Sequence, residues 1–73
     1  MSKLPRVSGQ EVVKALIKLG FRVRRQHGSH IILRRDNPFG QTVVPNHKEI
    51  DTGTLRAIIR QVGTSVEEFN KLL

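Results

Sequence analysis

Apolar positions recur along this chain with two periods, and each change of period marks a boundary between elements. Between Ser8 and Gly20 the period is 3.6: Val12, Val13, Leu16, Ile17 and Leu19 share one broad face, with Glu11, Lys14 and Lys18 opposite. Ser8 with Glu11 three residues on has the capping-box spacing, in which a hydroxyl and a carboxylate each accept from an unpartnered backbone N–H of the first turn. Gly20 suits the position just past a helix end, where the backbone often turns left-handed. The spacing predicts an amphipathic helix.

From Phe21 the period drops to two. "FRVRRQ" alternates Phe21 and Val23 with Arg22 and Arg24, and "HIILRR" is rich in β-branched residues, so each reads as a strand. "HGS" between them reads as a three-residue hairpin loop, which pairs Gln26 with His30. Parity then puts Phe21, Val23, Ile31 and Leu33 on one sheet face and Arg22, Arg24, Gln26, His30, Ile32 and Arg34 on the other. A one-residue change of register would exchange the second strand's faces. "DNPFG" reads as a turn, and "QTVVP" as a third short strand that Pro45 ends.

After "NHKEIDTG" the helical period returns. In "TLRAIIRQVG" the residues Leu55, Ile58, Ile59 and Val62 form an apolar stripe, with Arg56 and Arg60 elsewhere, Asp51 or Thr52 at the start and Gly63 at the end. "SVEEFNKLL" offers a second capping box, Ser65 with Glu68, and apolar Val66, Phe69 and Leu73. The order is α-β-β-β-α with a short third helix. It predicts an α+β fold, a three-stranded antiparallel meander with helices on one face, as a single domain over residues 1–73.

That arrangement leaves one sheet face open, and the charge bears on what that face can bind. The chain has 73 residues and no cysteine, so Val, Ile and Leu must form the core without disulfides or thiolate metal sites. Thirteen Lys and Arg against six Asp and Glu give +7, an excess that favours a polyanionic partner: nucleic acid, an anionic membrane or an acidic protein. Residues 21–35 hold Arg22, Arg24, Arg25, Arg34 and Arg35 and no acid. Such charges on adjoining strands repel, a cost that a bound phosphate chain reverses; the plainer reading is a solvated basic face. The opening "MSKLPRVSG" lacks a signal-type apolar region, and no apolar run nears the roughly 18 residues of a membrane span. A cytoplasmic protein without membrane association is expected.

Among chemical candidates, His27, His30 and His47 are the only imidazoles. A metal site is a poor reading of them, because no cysteine or acidic ligand spacing accompanies them and an arginine field repels a cation. No phosphate-loop, paired-carboxylate or Ser-His-Asp pattern is present, and no cofactor is expected. The C-terminal helix-glycine-helix stretch has the outline of a helix-turn-helix, yet "SVEEFNKLL" brings two glutamates and one lysine to a surface that would face phosphates. His30 differs from an incidental strand histidine by its neighbours. Beside arginines that hold an RNA phosphate, an imidazole can act on a 2′-hydroxyl while the guanidiniums offset charge on the phosphorane.

"LIKLGFRVRRQHGSHIILRR", followed by "VVPNHKEIDTGTLRAIIRQVGTSVEEF", closely resembles the HicA family, also called YcfA-like, small toxins of HicA–HicB toxin–antitoxin pairs. The likeness runs from about Ser8 to Phe69. Its markers are Gly20-Phe21, Gly28-Ser29-His30, Pro45 with His47, and Gly53-Thr54-Leu55 with Ile58. The resemblance implies a double-stranded-RNA-binding-domain-like α-β-β-β-α fold. It also implies an mRNA interferase, a metal-independent endoribonuclease that cleaves mRNA and arrests translation, with His30 catalytic. A HicB-like antitoxin that masks the active site is the implied partner. Arg24, Arg25, Arg34 and Lys48, by charge and strand placement, and Ser29 of the motif are the expected RNA contacts. His47 is a candidate second acid–base group, with a structural role in its loop the favoured reading. A non-catalytic double-stranded RNA-binding module is the leading alternative, and a helix-turn-helix DNA binder a third.

Overall fold

The computed structural model describes residues 3–73, so the expected domain extent and the reading of the chain's opening run past it at Met1 and Ser2, which lie outside the described residues. The elements are α1 (Gly9–Lys18), β1 (Arg22–His27), β2 (His30–Asp36), β3 (Phe39–Pro45), α2 (Thr52–Gln61) and α3 (Val66–Lys71). The strands form one antiparallel sheet in the order β1-β2-β3. The fold is the expected α+β arrangement with a short third helix.

Local chemistry sets the helix ends as the spacing predicts. The Ser8 hydroxyl accepts from the Glu11 N–H, and the Glu11 carboxylate accepts from the Ser8 N–H at 2.9 Å, so the capping box is complete. Asp51 caps α2 by accepting from the Thr54 N–H. Ser65 caps α3 the same way with the Glu68 N–H, in the hydroxyl half of the expected box.

Alternation decides which sheet face meets the helices. Along β2, Ile31 and Leu33 are buried, and along β3, Gly40, Thr42 and Val44 are buried. They pack with Val12, Val13 and Leu16 of α1, Leu55, Ile58 and Ile59 of α2 and Phe69 of α3, forming one core on one side of the sheet. Thr42, the polar member of that face, donates its hydroxyl to the Gln61 side-chain oxygen at 2.6 Å. Three apolar residues read as facing this core are exposed instead, among them Val23, which keeps its place opposite Leu33 but lies on the open edge strand β1. Ile17 sits at the margin of the α1 stripe, and Leu73 follows the last turn of α3.

Arg35 belongs to this inner layer rather than to the basic field. Its guanidinium lies 4.5 Å from the Phe21 ring centroid and donates to the carbonyls of Leu19, Pro38 and Val62. Leu19 and Val62 are the C-terminal caps of α1 and α2, where a cation complements the unpaired carbonyls. Phe21 in turn requires Gly40, since a Cβ there would approach its ring within 2.9 Å.

Three expectations about the sheet need correction. The β1–β2 loop has two residues, Gly28 and Ser29, and His27 ends β1 paired with His30. Gly28 has a φ of 55° with no positive φ at Ser29, the sign pattern of the tight II′ hairpin turn, which matches strand twist. Secondly, the register shifts between Val23 and Arg25, so Arg24 and Arg25 together oppose Ile32. This bulge moves Gln26 to the core side opposite Ile31, and Gln26 donates to the Gly28 carbonyl at 2.9 Å. Thirdly, β3 begins at Phe39, which pairs with Asp36, so only Asn37 and Pro38 form the turn read as "DNPFG".

Candidate nucleic-acid interface

The helix-free face of the sheet is assembled by this register. Cross-strand partners project to the same side, which gives three rows: Arg22, Arg34 and Gln41; Arg25, Ile32 and Val43; and His27, His30 and Pro45. Arg24, the extra residue of the bulge, lines a shallow hollow with Arg25, Ile32, Arg34 and Gln41. The bulge thus brings Arg24 and Arg25 to one depression, where an unbroken strand would send them to opposite faces.

The arginines are not equivalent electrostatically. Asp36 accepts from Arg22 through one carboxylate oxygen at 3.0 Å and from Arg34 through the other at 2.9 Å. The Arg34 guanidinium also lies 5.3 Å from the centre of the Phe39 ring, which is 66% exposed. Arg24 and Arg25 make no ion pair or side-chain hydrogen bond among the described residues. The charge available to an anion without exchange is therefore concentrated at the bulge.

His30 starts β2 at the opposite end of the face from Asp36 and is exposed. Its placement depends on the loop after β3. Ser29 carbonyl accepts from the Asn46 N–H at 2.6 Å, His47 carbonyl accepts from the Gly9 N–H at 2.9 Å, and Gln10 donates its side-chain amide to Asn46 at 3.0 Å. A Cβ on Gly9 would run into the Pro45 carbonyl and come within 2.9 Å of Asn46 Cα, so the start of α1 abuts this loop directly. The loop leads His47 and Lys48 away from Pro45 with both side chains exposed, and among the described residues neither makes an ion pair or side-chain hydrogen bond.

The structure therefore brings Arg24, Arg25, Arg34 and His30 onto one face, with Ser29 in the turn at its end. Lys48 and His47 lie in the adjoining loop, held to the hairpin through Asn46. Sequence reasoning missed two features: His27 stands on this face beside His30, and Asp36 occupies two of the arginines. A two-residue reading of Gly28-Ser29 would have exposed the first; the second follows once the strand is carried on to Asp36, which stands two residues after Arg34 and so on the same face. Among the described residues no three His, Cys, Asp or Glu side chains converge as for a metal ion.

The class defined by this arrangement is a small α+β protein whose antiparallel sheet carries guanidinium and imidazole groups on its helix-free side. Residues 9–64 match the family described as HicA toxin of bacterial toxin-antitoxin, and the chain belongs to that family. It is a toxin of a toxin–antitoxin system, a class that implies an antitoxin partner. No curated protein matches the chain. No helix among the described residues is long and apolar enough to cross a membrane.

Proposed function

We propose that this toxin is an mRNA interferase, a metal-independent endoribonuclease of the cytoplasm that arrests translation and is masked by a HicB-like antitoxin. The observation that carries the reading is the shared face: His30 projects from the same side of the sheet as the hollow formed by Arg24, Arg25 and Arg34. An RNA strand laid along β2 meets guanidiniums over its phosphates and an imidazole at the end of the row. Cation–phosphate contacts supply affinity and orientation, and a positioned imidazole contributes about 10²- to 10⁴-fold in rate.

The reaction that fits is attack of a ribose 2′-oxygen on the adjacent phosphorus with loss of the 5′-oxygen. It needs proton transfer and stabilisation of phosphorane charge, which imidazole and guanidinium provide. Ser29 and Lys48, at the same end of the face, contribute further phosphate contacts. His47 bonds Gly9 through its backbone carbonyl, which any residue at that position could supply, and its exposed imidazole remains a candidate second acid–base group beside the structural reading.

The test is cleavage of end-labelled RNA by purified protein in excess EDTA, with a DNA strand of the same sequence alongside. RNA should be cut and DNA left intact, and His30→Ala should lower the rate at least 10²-fold with RNA still bound. Binding without cleavage would instead establish the non-catalytic RNA-binding module. Cutting that His30→Ala leaves untouched would remove His30 from the site.

A further inference from the structure

Resting on the endoribonuclease reading, we infer that His27 is a second acid–base group of the same site, acting with His30 as a pair across the β1–β2 hairpin. The hairpin register pairs the two residues directly. Directly opposed residues in an antiparallel ladder share a face, with Cβ atoms about 4.5–5.5 Å apart. The two imidazoles therefore stand side by side at the end of the arginine-bearing face, both exposed.

Reaction geometry makes the pair useful. In an in-line displacement at phosphorus the entering 2′-oxygen and the departing 5′-oxygen lie on opposite sides of the phosphorus, and one imidazole cannot serve both in a single transition state. Two imidazoles on adjacent strands can flank one phosphate. In the proposed step one of them, unprotonated, takes the 2′-hydroxyl proton as the O2′–P bond forms. The other, as imidazolium, gives its proton to the 5′-oxygen as the P–O5′ bond breaks. The products are a 2′,3′-cyclic phosphate and a 5′-hydroxyl, and the pair ends with its protons exchanged. No metal, oxidant or further reactant enters the balance.

The surroundings fit that use better than a structural one. Among the described residues neither imidazole has a hydrogen-bond or ion-pair partner, so neither is occupied in holding the hairpin together. The charged group on the His27 side is Arg25, two positions back along β1; on the His30 side it is Arg34, four positions along β2. β3 presents Pro45 opposite His30, and the loop beyond carries His47, Lys48 and Glu49. Asp36, the acid of this face, lies at the far end of β2, bound to Arg22 and Arg34. On the sheet face itself the charged groups nearest the pair are thus cations, which recruit a phosphate and disfavour a bound metal cation.

The test compares wild type, His30→Ala, His27→Ala and His27→Gln in EDTA on two RNA oligonucleotides, one ordinary and one with a bridging 5′-sulfur at the cleavage site. A thiolate leaves without a proton, so loss of the general acid is forgiven on the sulfur substrate and loss of the general base is not. On ordinary RNA, His30→Ala, His27→Ala and His27→Gln should all fall about 10²-fold or more with RNA affinity retained. On the sulfur substrate either the His30 variant or both His27 variants should regain the wild-type rate, and the other should not. A His27→Ala rate equal to wild type, restoration of ordinary cleavage by glutamine, or equal loss on both substrates at both positions would overturn the pairing. Wild-type protein inert toward both RNAs would overturn the endoribonuclease reading itself, and the pairing with it.

Discussion

Asp36 acts as a built-in competitor for the ligand of this face. Its two oxygens hold Arg22 and Arg34 at 3.0 and 2.9 Å, and the carboxylate is 56% exposed, so the pairs are water-accessible and individually weak. A phosphate that takes the nitrogens now bonded to Asp36 must displace that carboxylate, and one that meets the remaining N–H groups of Arg22 or Arg34 still meets a charge partly offset by it. Asp36→Asn removes the competitor while keeping shape. Measured by fluorescence anisotropy in a His30→Ala background, RNA should bind roughly three- to tenfold more tightly at low salt, with the gain shrinking as salt screens it. An unchanged affinity would show that Arg22 and Arg34 do not meet the RNA. Arg35 carries the complementary lesson. In the sequence it is one more member of a basic run, yet its stem continues into the core layer, where its guanidinium covers Phe21 and satisfies helix-end carbonyls. Charge is legible in a sequence; which face a charge occupies depends on a register that charge does not reveal.

The hairpin is the element on which the site depends. Helix ends were readable because capping is local: Ser8, Asp51 and Ser65 each bond the N–H three residues on. The inner face of β2 was readable because burial imposes alternation on Ile31 and Leu33. β1 had no such constraint. It is an edge strand exposed along its whole length, Val23 at 47%, so its pattern tolerates a bulge without penalty to the core. Reading "HGS" as three loop residues cost the pairing of His27 with His30, since one residue of slip exchanges faces. Gly28 is the residue that makes the two-residue turn possible. A Cβ there meets nothing within 4 Å, so the cost of Gly28→Ala is that of the positive φ alone, about 1–2 kcal/mol. Urea denaturation should register that loss. RNA cleavage, referred to the folded fraction, should fall further than RNA binding, because the substitution disturbs the alignment of His30 while leaving Arg24 and Arg25 at the bulge. An unaltered cleavage rate in the folded variant would show that the tight turn does not align the site.

At the scale of the whole molecule, net charge and contact charge separate. All 13 Lys and Arg side chains contribute to the field that draws a polyanion in, but only those that meet phosphates release counterions. Lys14, Lys18, Arg56 and Arg60 are exposed on the helical layer, on the side of the sheet away from the hollow. The shortest extent of the molecule is 17 Å, about twice the Debye length of roughly 8 Å at physiological ionic strength. Helix-layer charges are therefore largely screened from a strand bound to the sheet. The salt dependence of RNA affinity can then locate the ligand. Titrations between about 50 and 200 mM salt should give a linear fall of log K against log salt, with each phosphate neutralised on a single strand adding about 0.7 to the slope. Arg24→Ala and Arg25→Ala should each lower its magnitude by about that amount, whereas Arg56→Ala and Arg60→Ala should leave it unchanged. The opposite result, a slope that depends on Arg56 and Arg60 but not on the bulge arginines, would move the nucleic acid to the helical layer and revive the helix-turn-helix reading. Because the slope counts contacts and is insensitive to catalysis, it tests the location of the interface independently of whether His30 and His27 cut what is bound there.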